Sequence, residues 1–388
     1  MQSRSGRYLF PAAILLVGIN LRPTMAAIGP VLDQIQYDTG LSDIDASLLT
    51  ALPVVLMGIC LFATGRLQAL FGTRTGIVAG MALIVASDAL RWHWSDATML
   101  LATAMLGGIG IAMVQALMPI MIRRNGGARA ASLMGVYSTA IMAGALISGM
   151  ASPWFARLAG WPVALGIWAL PALVGGLFWW MAEPRTEEIR EHRSYRGIAS
   201  QPRAWALLAF FGLGTGAYTL VLAWLPPFYT QRGWSAEAAG AMLGVVTMAE
   251  VVAGIAVSLW IDRLPDRRPA LLAAVGSLLL GLLCLALAPL PLAWPAALLS
   301  GLGIGALFPL SLIVAVDHGE NAEEAGAIAG FVQGGGYVLA AGLPLIAGLL
   351  RQHLDDLTPA WWLMAALCVV LALIAVRLRP GGHISLSF

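Results

Sequence analysis

The sequence predicts an all-α polytopic membrane protein with twelve transmembrane helices in two six-helix pseudo-repeats. Three observations predict it. Of 388 residues, 59% are hydrophobic and 11% charged, against about 25% charged in soluble domains, and the mean hydropathy is +0.83. Apolar stretches of the roughly 20 residues needed to cross a hydrocarbon core recur along the whole chain. The two halves also repeat one another block by block.

In order, the apolar stretches fall near 8–32, 46–70, 75–92, 97–121, 131–156 and 161–182, then 204–229, 237–260, 269–290, 294–316, 325–350 and 360–378. The first follows Arg4 and Arg7 and superficially resembles a signal peptide. It is too long for one, contains Arg22 and is followed by more like it, so a retained helix is expected. Arg66 and Arg74 lie about the second turn, and Arg123, Arg124 and Arg129 follow the fourth stretch. The one long polar segment, "EPRTEEIREHRSYRGIASQPR" at 183–203, reads as a cytoplasmic linker between an N-terminal bundle (1–182) and a C-terminal bundle (204–388). Arg263, Arg267 and Arg268 follow the eighth stretch, and Arg377 and Arg379 the last. The opposite side holds only Arg91, Arg157, Arg232 and Arg351. By the positive-inside rule both termini are cytoplasmic; the acidic loop "DHGENAEEAG", 317–326, is the exception.

Net charge is +2 and no basic run is interleaved with aromatics, so nucleic acid is not an expected partner. All basic residues are Arg, which reads as genomic bias. Cys60, Cys284 and Cys368 lie far apart inside apolar stretches, without metal-ligand or redox spacing; they are expected as buried small hydrophobes, with no metal and no cofactor. An enzyme would need a nucleophile, a metal site or paired acids. The nearest approach, Asp317 and His318, is expected to cap the tenth helix instead.

The repeat is specific. "GINLRPTMAAIGP" (18–30) lies over "GTGAYTLVLAWLP" (214–226), and "TGLSDIDASLL" (39–49) over "RGWSAEAAGAM" (232–242). "LGGIGIAMVQAL" (106–117) lies over "LSGLGIGALFPL" (299–310). Such a parallel repeat marks a transporter whose halves rock about a shared midplane site, with a small molecule as substrate. A channel fits it less well.

Deep charges are few. Arg22 has two readings: a structural ion pair, with Glu250 as the candidate partner, or an anion clamp in a water-filled cavity. Pro23 removes the helical partner of the Ile19 carbonyl, and irregular backbone at membrane depth is tolerated where it lines a cavity or is buried in protein. Asn20 and Arg22 beside that kink would form a polar notch, and a guanidinium fork suits a small planar anion. Glu250 is open between proton coupling, pairing with Arg22 and substrate contact. Asp33, Asp88 and Arg91 lie nearer helix ends, where side chains are expected to reach water. Gln115 shares a helix face with Gly108, Ala112 and Pro119. Gln333 and Tyr337 form an i,i+4 pair. Tyr218 occupies the Arg22 position and Phe308 the Gln115 position in the second repeat, so Arg22, Asn20, Gln115, Tyr218, Phe308, Gln333 and Tyr337 are the candidate substrate-binding residues. The competing reading of the amides and tyrosines is helix–helix glue.

The loop "SLWIDRLPDRRP" (258–269) resembles the G-x-L-a-D-R-x-G-R-R/K gating loop of the major facilitator superfamily, with Asp262, Arg263 and Arg267 at its charged positions. The first-half copy, "GRLQALFGTR" (65–74), keeps Gly65, Leu67, Gly72 and Arg74 but has Ala69 in place of the acid. "GINLRP", "SLLTALPVVLMG" (47–58), "MLGGIGIAMVQALMPIMIRR" (105–124), "AWLPPFY" (223–229) and "GLGIGALFPLSLIVAVDH" (301–318) resemble the cyanate transporter and 2-nitroimidazole exporter family of that superfamily, closest to the bacterial cyanate transporters. The resemblance implies alternating access in a bacterial inner membrane. It implies a small monoanion such as cyanate, or nitroimidazole-like heterocycles as the alternative, with Arg22 as the family's first-helix arginine. Protons or a counter-transported anion are the conceivable coupling partners, the lipid bilayer is the surroundings, and a monomer is expected.

Overall fold

A computed structural model describes residues 6–93, 96–126, 129–182, 197–320 and 322–379. Among them are 12 helical stretches long and apolar enough to cross a membrane. Spans 1 to 6 are Leu9–Thr39, Asp43–Phe62, Thr73–His93, Ala97–Gly126, Ser132–Ala159 and Trp161–Met181. Spans 7 to 12 are Pro202–Thr230, Ala236–Trp260, Arg268–Leu287, Ala293–Val316, Glu324–Leu354 and Thr358–Arg377. The expected all-helical twelve-span fold is present. Residues 183–196 of the expected linker lie outside the described residues.

Two spans differ in detail from expectation. Span 1 runs on to Thr39 in separate pieces, Gly6–Ile19, Pro23–Ala26, a 3-10 turn Gly29–Val31 and Leu32–Thr39. Span 2 stops at Phe62, and Thr64–Phe71, which carries Arg66, is a separate helix. The Ser42 hydroxyl starts span 2 by accepting from the Asp45 N–H at 3.1 Å, satisfying one donor that the first turn leaves unpaired.

The chain forms two compact units, Met1–His192 with Tyr229–Ala241, and Arg193–Phe228 with Met242–Phe388. Within lipid the driving force for helix association is close packing, so small residues mark the contacts. In the first unit span 1 packs against spans 5 and 6. A Cβ at Gly144 of span 5 would fall on the carbonyl oxygen of Ile19, and one at Gly175 of span 6 would lie 2.9 Å from the Leu16 oxygen. Span 4 touches span 2 through Gly108, whose Cβ would lie 2.7 Å from the Pro53 Cα, and span 3 through Gly110 and Gly80.

The second unit repeats this pattern. Gly301 of span 10, aligned with Gly108, abuts the Val246 carbonyl of span 8; Gly303, aligned with Gly110, abuts Leu278 of span 9. The block alignment of spans 4 and 10 is therefore also an alignment of what each glycine touches. One difference stands out: the counterpart of broken span 1, span 7, is a single uninterrupted helix of 29 residues.

Candidate functional site

The site is built around the interruption of span 1. Proline has no N–H to offer the Ile19 carbonyl, and the helix ends at Ile19. Asn20 and Leu21 close tight turns onto the Val17 and Gly18 carbonyls at 3.1 and 3.2 Å. The Leu16 carbonyl is taken by the Asn20 side chain, whose amide nitrogen donates to it at 2.7 Å and to the Pro171 carbonyl of span 6 at 3.1 Å. Arg22 then caps the four-residue helix Pro23–Ala26 with only 5% of its surface exposed.

A second interruption follows within one turn. The Ile28 N–H bonds to the Met25 carbonyl at 3.3 Å, and the Thr24 carbonyl accepts from the Arg91 guanidinium of span 3 at 2.7 Å. The Thr24 hydroxyl donates to Asp88 at 3.2 Å. Arg91 also donates to the Thr103 hydroxyl of span 4 at 3.0 Å and pairs with Asp88 at 3.7 Å. The Ser87 hydroxyl donates to the Thr103 carbonyl at 2.8 Å. A Cβ at Gly107 would lie 2.7 Å from the Ser87 hydroxyl and 2.8 Å from a Thr24 methyl, so glycine there lets the three chains converge.

This corrects the expectation that Asp88 and Arg91 reach water. Both are 1% exposed, because span 1 brings two bare polar groups within reach and span 4 a third. The i,i+3 spacing of the two charges was the available signal; the partners, Thr24 and Thr103, were not legible in sequence. Gln115 of span 4 is half-buried, and Asp33 is partly exposed and receives a hydrogen bond from Thr230.

In the second unit three rings cluster. Phe308 lies 5.6 Å and Tyr337 5.4 Å from Phe211, centroid to centroid, within the range of favourable aromatic contacts. Two of the three were sequence candidates; Phe211 was missed, having no counterpart motif in the repeat. Gln333 is half-buried one turn from Tyr337, and Tyr218 is buried on span 7. Glu250 is buried on span 8, its backbone pressed against Gly305 of span 10.

The loop candidates form two different turns. After span 8, Arg267 donates to the Ile261 and Leu264 carbonyls and pairs with Asp317, at the end of span 10, at 3.3 Å. Asp317 is thus both C-cap residue and ion-pair partner. Arg263 lies 5.8 Å from the Trp260 ring; the side chain of Asp262 lies outside the described residues. Both carboxylate oxygens of Asp266 accept from the Arg268 guanidinium, in three contacts of 2.8 to 3.1 Å, which holds its carboxyl below the usual range. After span 2, Gly65 is exposed and Gly72 takes a positive φ of 70°, open to glycine at little strain. Arg74 donates to the Trp180 carbonyl at 2.8 Å. Next to Ala69, which stands at the motif's acidic position, the buried Gln68 donates to the Thr73 hydroxyl at 3.3 Å.

Repeated helical packing, twelve stretches long and apolar enough to cross a membrane and polar groups gathered at a broken span describe a multi-pass membrane protein. The family model of the Major Facilitator Superfamily matches residues 14–341. The Escherichia coli (strain K12) cyanate transport protein CynX is 36% identical over 95% of this chain and 96% of its own. The 2-nitroimidazole transporter of the same organism is 30% identical over 90% of each chain. The crystal structure of a D-xylose-proton symporter superposes with a TM-score of 0.78 at 16% identity, covering 99% of this chain and 100% of that one. The chain belongs to the Major Facilitator Superfamily and is a secondary transporter embedded in a membrane.

Proposed function

We propose that the protein carries a small monoanion such as cyanate across a bacterial inner membrane by alternating access, with Arg22 as the substrate's counter-charge. The observation that carries this reading is a buried guanidinium on interrupted backbone inside a membrane span. A charge at such depth costs about 3 kcal/mol on insertion scales and is retained where it does work. The name of the 36%-identical relative supports the choice of anion. Asn20 holds the interruption open, its amide nitrogen already donating to two carbonyls. Gln115 of the first unit, and Tyr218, Phe308, Gln333 and Tyr337 of the second, are the further proposed substrate contacts, each within its own unit, of a monomeric transporter. Both termini are cytoplasmic.

The test is thermal stabilisation of the purified protein, wild type beside Arg22→Gln and Arg22→Lys, against cyanate, nitrate, formate, bicarbonate and a nitroimidazole. A ligand that binds only the folded state raises Tm as its concentration passes Kd. Cyanate is expected to stabilise the wild type. The Gln variant should bind at least about tenfold more weakly, since a hydrogen bond to a charged group contributes about 1.5–3 kcal/mol. Lys should fall between, lacking the fork. Equal cyanate response in wild type and Arg22→Gln would remove the counter-charge role.

The second reading, transport of nitroimidazole-like heterocycles, is favoured by the Phe211–Phe308–Tyr337 cluster and by the name of the 30%-identical relative. It is the conclusion if only the nitroimidazole raises Tm.

Glu250 is the proposed proton-coupling carboxylate; exchange for a counter-transported anion would proceed without it. In proteoliposomes an inward acid jump should accelerate cyanate uptake by wild type and leave Glu250→Gln unaffected; full acid stimulation in the mutant would exclude the role.

A further inference from the structure

We infer that Asp88 and Arg91 are positioning residues for the substrate site: together they fix Thr24, and through it the short helix that carries Arg22. This rests on the anion-carrier reading above for the meaning of Arg22, but its structural core stands apart from it.

Thr24 is two residues from Arg22 and is gripped at both polar groups. Its hydroxyl donates to Asp88 and its carbonyl accepts from Arg91. The carbonyl needs this second bond, because the N–H four residues on, that of Ile28, has turned to Met25. Without Arg91 a buried carbonyl would have lost its ladder partner, at membrane depth, where unmet backbone groups are penalised most. Arg91 therefore acts as an internal cap for an interrupted helix. Its guanidinium is a rigid fork, so its bond to Thr103 at 3.0 Å fixes where the Thr24 bond can be. Asp88 neutralises the guanidinium and takes the hydroxyl of the same threonine. The segment from Pro23 to Ala26 is too short to hold its own shape, since a single helical turn is unstable alone. Its place is set by what grips it.

The second unit supplies a control. With Gly303 placed on Gly110, Leu278 of span 9 corresponds to Ile84 of span 3. The stretch that follows, "GLLCL" at 281–285, is apolar where span 3 carries Asp88 and Arg91. Span 7, the partner of broken span 1, is continuous there. The Asp–Arg pair of span 3 belongs to the repeat whose first helix is interrupted, and the corresponding positions of span 9, in the other repeat, are apolar. An ion pair kept only to bind helices together would have no reason to follow the break. Buried pairs contribute little net stability over apolar replacements, which leaves positioning as the function that retains this one.

The experiment uses the purified full-length protein in three variants: Thr24→Val, which keeps shape and deletes the hydroxyl, Thr24→Ser, which restores it, and the neutral double variant Asp88→Asn/Arg91→Gln. Cyanate affinity is read from thermal stabilisation, and amide hydrogen exchange is followed over residues 20–31. Thr24→Val and the double variant are expected to raise the cyanate Kd about tenfold or more, the scale at which loss of supporting partners weakens a ligand-holding side chain elsewhere. Exchange at Met25 to Ile28 should quicken while spans 8 and 10 stay as in wild type, and Thr24→Ser should return both readouts. Kd within twofold of wild type, or exchange that rises evenly across the whole chain, would overturn the inference and leave a purely structural pair. If the wild type does not respond to cyanate, the anion reading fails first. The exchange arm then decides alone: unchanged protection at Met25 to Ile28 in both variants sinks the positioning role.

Discussion

Gly144→Val is expected to abolish folding to a monodisperse protein. A Cβ at this position lands on the Ile19 carbonyl oxygen, with the Ile19 carbonyl carbon 2.9 Å and its Cα 3.3 Å away. These are backbone atoms and cannot rotate aside as a side chain would. Ile19 is also the last residue before the interruption, so moving it moves the origin of the segment bearing Arg22. Overpacking a side-chain core costs about 1–3 kcal/mol, and a collision with backbone at a helix crossing lies beyond the top of that range. Fluorescence-detected gel filtration should show aggregate or no peak, and Gly144→Ala should already lower Tm. The matched control is Gly276→Ala in span 9, where nothing lies within 4 Å of an added Cβ. There the helix gains from alanine, by up to about 1 kcal/mol. Equal behaviour of the two alanine variants would show that spans 1 and 5 do not approach as described.

The second large effect belongs to the other unit. Gly305→Val should uncouple span 10 from span 8 and cost more than about 3 kcal/mol, again above the usual overpacking range. The added Cβ would fall on the Cα and carbonyl oxygen of Glu250, with the carbonyl carbon at 2.7 Å. Gly301, one turn earlier, meets Val246 in the same way, so the two glycines form one continuous contact strip along span 10. Gly254→Ala on span 8, one turn beyond Glu250, has its nearest neighbour at 3.7 Å and should be tolerated. A Gly305→Val protein with wild-type Tm would exclude a backbone contact at Glu250.

Much of this was legible in the sequence. Twelve apolar stretches and their order could be read because lipid imposes a length and a composition that loops do not share. The kink at Pro23 was legible from proline's missing donor, and the repeat from blocks such as "LGGIGIAMVQAL" over "LSGLGIGALFPL". What composition could not convey was which polar groups would meet. Asp88 and Arg91 are five and two residues from the end of span 3 at His93, and rules of thumb send such side chains toward water. Their burial follows from Thr24 and Thr103, on two other helices, and only three-dimensional packing brings those to them. Phe211 escaped for a similar reason: a phenylalanine in an apolar run carries no signal until its neighbours are known. The extension of span 1 to Thr39 was missed because polar residues in its last turns read as loop when scored by hydropathy.

The two turns described after spans 2 and 8 differ in a way that bears on the medium around the protein. The turn after span 8 is joined to span 10 by Arg267 and Asp317, a partly exposed pair of the kind that contributes at most about 1 kcal/mol. Dissolved ions weaken such an attraction, since at physiological ionic strength the field of an exposed charge fades over about 8 Å. In the turn after span 2 the Gln68 amide donates to the Thr73 hydroxyl, a neutral bond, beside the Arg74 bond to the Trp180 carbonyl. Raised salt in the medium bathing these turns is thus expected to weaken the Arg267–Asp317 pair more than the Gln68–Thr73 bond.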